Sequence, residues 1–504
     1  MADGALKKRY MKLVQDRRPY LDRARICAKL TIPSLIPDEG HNSTTTLVTP
    51  WQSLGAKGVN NLASKMLLAL FSPSQTFFRL TLDEVTIAEL GASKGEVEKG
   101  MAAIERVVMG AVENSTSRSS LFEGLKHLIV AGNVLYYENP ESGNVRMYPI
   151  SRYVVKRTPD GDPYEMITED VTTWGALDGK VREALKASYV PEKGADDPTS
   201  IYTGIVREGN SWKVWQEIEG VPLDGSQGSY PVDSCPWIPV RRGVISGEHY
   251  GRSYVEEIYG DVNTVDALQQ AITEGASISS IVKFLIDPNG VTDAKDIRKT
   301  PNGGVCSGRE QDISVLQVNK FADMRVAREH LQELKADLSA AFLMHTSIQR
   351  NAERVTAEEI RYMAQELEDA LGGIYSLLAQ ELQLPLVNSV MRRLQQKKKL
   401  PPLPKSIQPK IITGLEALGR NHEHARLRMF VGDAAQTFGP EAVIEYVTVD
   451  EYLRRSAAAM NIVPEGLVRT DAEVQQRRQQ QMEQAAQIQA QAQAQAQAQT
   501  QGGQ

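Results

Sequence analysis

The apolar residues of this chain change period twice, and that change constrains the fold more than any other feature. Before Val134 they recur at helical spacing: Val59, Leu62, Ala63, Met66 and Leu70 make one stripe, and Leu121, Leu125, Leu128 and Ile129 another. From Val134 short β-type runs take over (LYYEN, VRMYPI, YVVKRT, YEMITEDVTTW), followed by SIYTGIVRE and SWKVWQEI joined at Gly209-Asn210. Pro159-Asp160-Gly161-Asp162 has the residues of a tight turn. After Gly251 the helical period returns. The expectation is an α+β chain, predominantly α-helical, with a mainly antiparallel β part over about 134–245. One short helix is expected inside that part, from Leu177 to Lys186.

Local signals predict where elements start and stop. Thr49-Pro50 reads as a cap followed by proline at the first helical position, and Ser120 as the cap of a second helix. Ser253 should cap a helix running to about Val282, with Val255, Ile258, Val262, Val265, Leu268 and Ile272 on one stripe. At 1.5 Å per residue that helix would be on the order of 45 Å long. Residues 284–320 hold an apolar run (Phe284-Leu285-Ile286), turns at Asp287-Pro288-Asn289-Gly290 and Pro301-Asn302-Gly303-Gly304, and a strand-like run from Ile313 to Val318. A second long helix is expected over about 321–344, with Met324, Leu331, Leu334, Leu338 and Phe342 in register.

Thr356 and Glu359 form a capping box that opens a further helix, whose stripe runs from Ile360 to Leu378. Pro385 has no N–H to give, so a kink or break is expected near Leu384 before the helix continues toward Arg393. Pro401-Pro402 should end it. An extended stretch from Ile407 to Thr413 then leads to helices near 415–437, 440–446 and 450–460, and Thr470 with Glu473 opens a polar one. The Ala-Gln alternation from Gln489 to Gln499 has only alanine to bury, so fraying or disorder is expected there.

A chain of 504 residues exceeds one hydrophobic core and suggests two to four domains. Cys27, Cys235 and Cys306 stand singly, with neither the pairing of a disulfide framework nor zinc spacing. Each is expected to be a small buried or half-buried hydrophobe in a reducing compartment. No basic-then-apolar leader opens the chain, and no stretch approaches a membrane span. The net charge of −6 advertises no nucleic acid, although residues 1–30 hold nine Lys/Arg against three Asp. Arg392, Arg393, Lys397, Lys398 and Lys399 form a second basic stretch. A solvated, basic helix face is the ordinary reading of the first, and the favourable charge of a helix C-terminus that of the second.

Chemistry finds no motif to rest on. The chain has no GxxxxGK[ST] loop, no G-x-G-x-x-G after a strand, no HExxH and no G-x-S-x-G. His422 and His424 stand two apart in an expected helix and so point to different sides. The Asp287 turn lacks the glycine and glutamate positions of a calcium loop, and Asp160 with Asp162 has no third carboxylate for a two-metal site. No catalytic, cofactor-binding or metal-binding residue is expected, and no cofactor.

Longer words are more specific. YGRSYVEEIYGDVNTVDALQQAI (Tyr250 to Ile272), QRNAERVTAEEIRYMAQELEDALGGIYSLLAQELQLPLV (Gln349 to Val387) and ITGLEALGR (Ile412 to Arg420) resemble the portal, or head-to-tail connector, family of short-tailed, autographivirus-type phages. RRPYLDRARICAKLTIPSL and PWQSLGAKGVNNLASKMLLALFSP resemble the same family, and the resemblance runs from about Arg17 to Arg469. It implies a portal fold, with wing, stem, clip and crown, assembling into a ring of twelve with double-stranded DNA in its channel.

On that resemblance residues 1–250 are the wing, 251–283 and 321–344 the stem helices, and 284–320 the clip, which meets the terminase motor and later the tail adaptor. Residues 345–354 are the tunnel loop, 355–412 a kinked wing helix and 413–480 the crown, with 481–504 a low-complexity tail. Capsid and internal core proteins would meet wing and crown, at the portal vertex of the virion, assembled in the host cytoplasm and away from any membrane. Gln349, Arg350 and Arg354 in the loop are the candidates for DNA contact. Lys320 and Arg325 near the stem's lower end are weaker ones, since exposed arginines on long helices usually pair with nearby carboxylates.

Two readings compete with the conduit. A metal-dependent nuclease or processing enzyme of the packaging apparatus requires clustered Asp, Glu and His. A filament-forming or scaffolding protein requires a sustained heptad, which the chain lacks.

Overall fold

The computed structural model describes residues 5–42, 44–71, 76–82, 94–113, 117–188, 190, 193–280, 283–316, 321–344, 373–402, 407–411 and 427–439, with isolated positions between 443 and 456. Residues 1–413 form one compact unit and residues 414–504 another. In the second, a helix over 427–438 exposes Met429, Phe430 and Phe438.

Helix α1 (Ala5–Leu30) buries Leu6, Tyr10, Leu13, Arg17, Leu21, Ala24 and Ala28 in one stripe. Its basic residues are mostly partnered rather than merely solvated. Arg17 is buried and donates to the Tyr153 carbonyl, while Arg9 pairs with Glu165, Arg23 with Glu256, Arg25 with Glu39 and Lys29 with Asp38. Helix α2 (Leu54–Leu70) buries the expected stripe from Val59 to Leu70, but Thr49-Pro50 does not open it. Ser53 holds the cap position without a side-chain bond, and Gln52 Oε1 accepts from the Gly55 N–H at 2.8 Å instead. The longer amide reaches the orphan donor from one residue further back.

Strand β1 (Phe78–Leu82), α3 (Lys94–Glu113) and α4 (Ser117–Ala131) follow. Ser120 lies inside the first turn of α4 rather than capping it. The middle of the chain is β2 (Asn133–Glu138), β3 (Val145–Pro149), β4 (Tyr153–Arg157), β5 (Pro163–Thr173), α5 (Gly179–Ala187), β6 (Pro198–Glu208), β7 (Ser211–Ile218), β8 (Val221–Pro222), β9 (Gly228–Pro231) and β10 (Trp237–Arg241). Every pairing among these strands is antiparallel. They form two sheets, one ordered β10-β2-β3 and one ordered β4-β5-β6-β7-β8, with β9 also on β7. The two expected tight turns are present, with Gly161 at φ +96° and Gly209 at φ +59°. α5 is capped by Asp178, whose Oδ1 accepts from the Lys180 N–H at 2.9 Å.

The largest core joins the second half of α1, α2, α4, the three-stranded sheet and the helices that follow. A smaller one seats Leu6, Tyr10 and Leu13 of α1 on Val154, Ile167 and Tyr202 of the larger sheet.

Ser253 caps as expected: its Oγ accepts from the Glu256 N–H at 2.9 Å. The helix it opens is interrupted, however. One turn, α6 (Tyr254–Glu257), is separated at Ile258 from α7 (Tyr259–Ser280). The 22 residues of α7 are therefore about 33 Å long rather than 45 Å. Next come β11 (Lys283–Ile286), α8 (Ala294–Lys299), β12 (Ile313–Leu316) and α9 (Phe321–Ala341). β11 and β12 pair antiparallel.

The Thr356–Glu359 box lies outside the described residues. The helix around Pro385 does not break. After α10 (Ile374–Leu378) the backbone makes a π turn over Ala379–Gln383, then resumes as α11 (Leu384–Gln396) with Pro385 in its first turn. Leu384 stays helical at φ −63° and ψ −48°. The missing N–H of Pro385 is absorbed by a register shift one turn upstream rather than by a broken helix. α11 ends at Gln396, ahead of Pro401-Pro402, and Lys398 turns left-handed at φ +56°. β13 (Ile407–Ile411), in the stretch expected to be extended, then pairs with β1.

A further expectation is corrected. Cys27 and Cys235 are buried, but Cys306 is exposed. The second basic stretch falls at a helix C-terminus as expected, with Arg393 in the last turn of α11 and Lys397 to Lys399 exposed beyond it. Arg393 is buried with its Nε 2.7 Å from Glu138 Oε1, and Arg392 lies over the Tyr230 ring. No helix among the described residues is long and apolar enough to cross a membrane.

Candidate functional site

The part of the fold that stands apart from ordinary domain packing is the helical pair α7 and α9 with the small unit between them. α7 and α9 meet through small residues and apolar stripes. A Cβ on Gly275 would lie 2.4 Å from Met324 Cε, so glycine there permits the close approach. Val262, Val265, Leu331 and Leu338 are buried along the seam, and Lys335 Nζ donates to Gln269 Oε1 at 2.8 Å.

The C-terminal end of α9 is held with particular care. Met344 N–H bonds back to the Ser339 carbonyl at 2.7 Å and Leu343 N–H to Ala340 at 2.9 Å, with Leu343 at φ +54°. That is a Schellman closure with leucine where glycine is usual. Two side chains of α2 complete it. Asn61 Nδ2 donates to the carbonyls of Phe342 and Leu343, and Lys65 Nζ to that of Leu343 at 2.8 Å. Tyr254 Oη donates to Ala341 O at 2.7 Å. The Phe342 ring is buried against the bare backbone of Gly58, where a Cβ would lie 2.3 Å from the ring. This anchor fixes where the chain leaves the helix pair, immediately before residues 345–354.

The other end of the pair is built on polar bonds. Asp312 Oδ2 accepts from Val291 N–H, Thr292 N–H and Thr292 Oγ at 2.9, 3.2 and 2.9 Å. Thr292 Oγ in turn accepts from Arg309 N–H at 2.8 Å. The Thr292 hydroxyl holds the Asp312 carboxyl below the usual carboxylate range, with the two N–H groups adding to it. Thr292 is the one buried residue among the described side chains of 284–314, while Phe284, Leu285, Val291 and Val305 are exposed. Ile278 on α7 and Val326 on α9 are exposed as well. Among its described side chains this unit buries no apolar residue and leaves several exposed, a pattern that marks an interaction surface.

Of the expected DNA-contact residues, Arg325 lies on α9 with its side chain 78% exposed, and its Nε is 3.9 Å from Glu329 Oε1 on the same helix. A pair so exposed contributes about 0–1 kcal/mol. Gln349, Arg350, Arg354 and Lys320 lie outside the described residues. Sequence reasoning missed Asn61, Lys65 and the Thr292–Asp312 pair, which carry no motif. Gly58 is the one trace of the anchor, a glycine inside an otherwise strong helical stripe. Among the described residues no group of three or more His, Cys, Asp or Glu could hold a metal ion.

Paired helices carrying a small, polar-bonded unit with exposed apolar side chains are the arrangement that this geometry defines. Residues 3–468 match the family described as bacteriophage head to tail connecting protein, and the chain belongs to that family. It is 42% identical over 487 residues to the portal protein of Escherichia phage T7, covering 95% of this chain and 90% of that protein. It is also 42% identical over 482 residues to the portal protein of Enterobacteria phage T3, covering 94% and 89%. Among solved structures it is similar to a chain from the neck of an empty gene transfer agent particle. There the identity is 13%, the TM-score 0.37, and the coverage 82% of this chain and 91% of that one.

Proposed function

We infer that the chain is a portal subunit, forming a ring-shaped channel through which phage double-stranded DNA is packaged into the prohead and ejected, and which joins head to tail. The observation that carries this reading is the 42% identity to a portal protein across 95% of the chain. In this assignment residues 1–250 and 355–412 are the wing, 251–283 and 321–344 the stem, 284–320 the clip, 345–354 the tunnel loop and 413–480 the crown. The polar-bonded tip around Thr292, with its exposed apolar side chains, supports the clip assignment, since neighbouring subunits, a terminase motor or a tail adaptor would cover it. Wing and crown face capsid and internal core proteins at the portal vertex of the virion.

Twelve identical subunits close a ring through heterologous interfaces. The action is physical, not covalent. Duplex DNA carries one negative charge per roughly 1.7 Å, so a channel that bound it tightly would also stop it. A net charge of −6 on every subunit keeps the ring from gripping. Gln349, Arg350 and Arg354 supply brief phosphate contacts in the loop, while Arg325 serves its own helix through Glu329.

Negative-stain images and native mass of the purified protein test the reading. A ring with a central hole is expected. A monomer that cuts DNA with magnesium would sink it in favour of the nuclease. Loss of packaging with Arg350→Ala and Arg354→Ala together tests the loop separately.

A further inference from the structure

The second basic stretch is not absorbed by the channel, and its geometry is unusual. The Arg393 residue is 9% exposed, and its guanidinium uses only Nε, toward Glu138. Neither terminal nitrogen has a hydrogen-bond partner. The flat face of the group lies on the backbone of Gly143, where a Cβ would come within 2.5 Å of Cζ and Nη1 and 2.8 Å of Nη2. Only glycine lets the fork sit there.

Arg393 lines a cavity of about 370 Å³ between α3, α11 and the loop joining β2 to β3. That is near the low end of the roughly 300–1,000 Å³ of small-molecule sites. Ser142, Asn144 and Lys399 form its polar side, and Val107, Ala111 and Leu394 an apolar one. Glu138 is buried behind Arg393 and cancels one charge, which leaves Lys399 as the net positive charge of the cavity. A guanidinium with two unpartnered terminal nitrogens in a cavity wall has the donors to bind two oxygens of one oxyanion.

We propose that this cavity binds the phosphate group of a small molecule, inorganic phosphate or a mononucleotide, between the free fork of Arg393 and Lys399. Arg393 supplies paired donors of fixed geometry, and Lys399 supplies charge from the rim. The Ser142 hydroxyl is within the same wall, and the apolar wall accepts the organic part of a nucleotide. A polyanion is disfavoured by the subunit's net charge of −6.

The test is calorimetric titration of the assembled protein, at constant ionic strength in chloride, with inorganic phosphate and separately with a nucleoside 5′-monophosphate. Saturable binding of one ligand per subunit is expected. Tighter binding of the nucleotide assigns the site to mononucleotides, and equal affinity assigns it to phosphate alone. Arg393→Ala would strand Glu138 and unfold the region, so two surface variants serve instead. Lys399→Glu should weaken both ligands about tenfold or more by reversing the rim charge. Val107→Trp, at a side chain already half exposed, should shut out the nucleotide with no change of charge. Absence of binding by the unmodified protein, or affinities that neither variant alters, overturns the proposal.

Discussion

Asn61 donates through one amide nitrogen to two carbonyls, Phe342 O and Leu343 O, each 3.0 Å away and 281 and 282 residues along the chain. It closes the end of α9 from α2. The helix pair is thereby tied to the main core at the point where the chain departs toward residues 345–354.

Asn61→Ala should destabilise the subunit by about 1–3 kcal/mol, because two carbonyls of a nearly buried turn lose their donor. Hydrogen exchange should quicken at the amides of Leu343 and Met344, which complete the same turn. Exchange unchanged at those amides would show that Lys65 and the backbone suffice.

Leu343 offers a test with two opposed terms. Glycine at φ +54° would relieve about 1–2 kcal/mol of left-handed strain. It would also give up the burial of a leucine side chain, about 1.5–3 kcal/mol. Leu343→Gly should therefore lower stability by about 1 kcal/mol, read from the denaturant midpoint. A rise would mean that the side chain contributes little by being buried.

Gly58→Ala places a methyl 2.3 Å from the Phe342 ring on a helix that cannot retreat. Overpacking of this kind costs about 1–3 kcal/mol. Phe342→Leu in the same chain should recover part of the loss, and the double-mutant cycle measures how much.

His127 is buried in α4 with Nδ1 unpartnered, and burial pulls its pKa down to about 4. Between that value and its ordinary one near 6.5, the unfolded chain binds a proton that the folded chain refuses. Stability should then fall as pH drops from about 6.5 to 4, by about 3 kcal/mol in all. Melting temperatures across this range should show a slope that flattens in His127→Gln. An identical slope in the variant would assign the acid sensitivity elsewhere.

Asp312→Ala removes the acceptor of three bonds from a unit with no buried apolar residue among its described side chains. Limited proteolysis should cut within 284–314 while α7 and α9 stay protected. Because the folded carboxyl is held below its usual range, the stabilisation is present above the ordinary carboxylate pKa. It is lost as pH falls through the lower folded value, so the unmodified protein should become cleavable there at acid pH.

The elements that sequence reading located are those where neighbours a few residues apart carry the signal. The Val59–Leu70 stripe, the Ser253 cap, the turns at Gly161 and Gly209 and the apolar runs of β11 and β12 all rest on local backbone chemistry. Its errors came where a distant partner won. The pairing of Arg393 with Glu138 was missed because the two lie 255 residues apart, and the kink or break expected at Pro385 is a π turn, which cannot be seen in residue types.

The order of helix, antiparallel sheet and paired helices was therefore determined by the sequence alone, since periodicity and turn chemistry act over one or two turns. The long matched words determined the family as well. Which polar groups hold the helix pair at its two ends, and that a basic stretch folds one guanidinium against a glycine to face a cavity, was decided only by the tertiary structure. Hydrogen bonds and close approaches between segments hundreds of residues apart leave no periodic trace in the residues that make them.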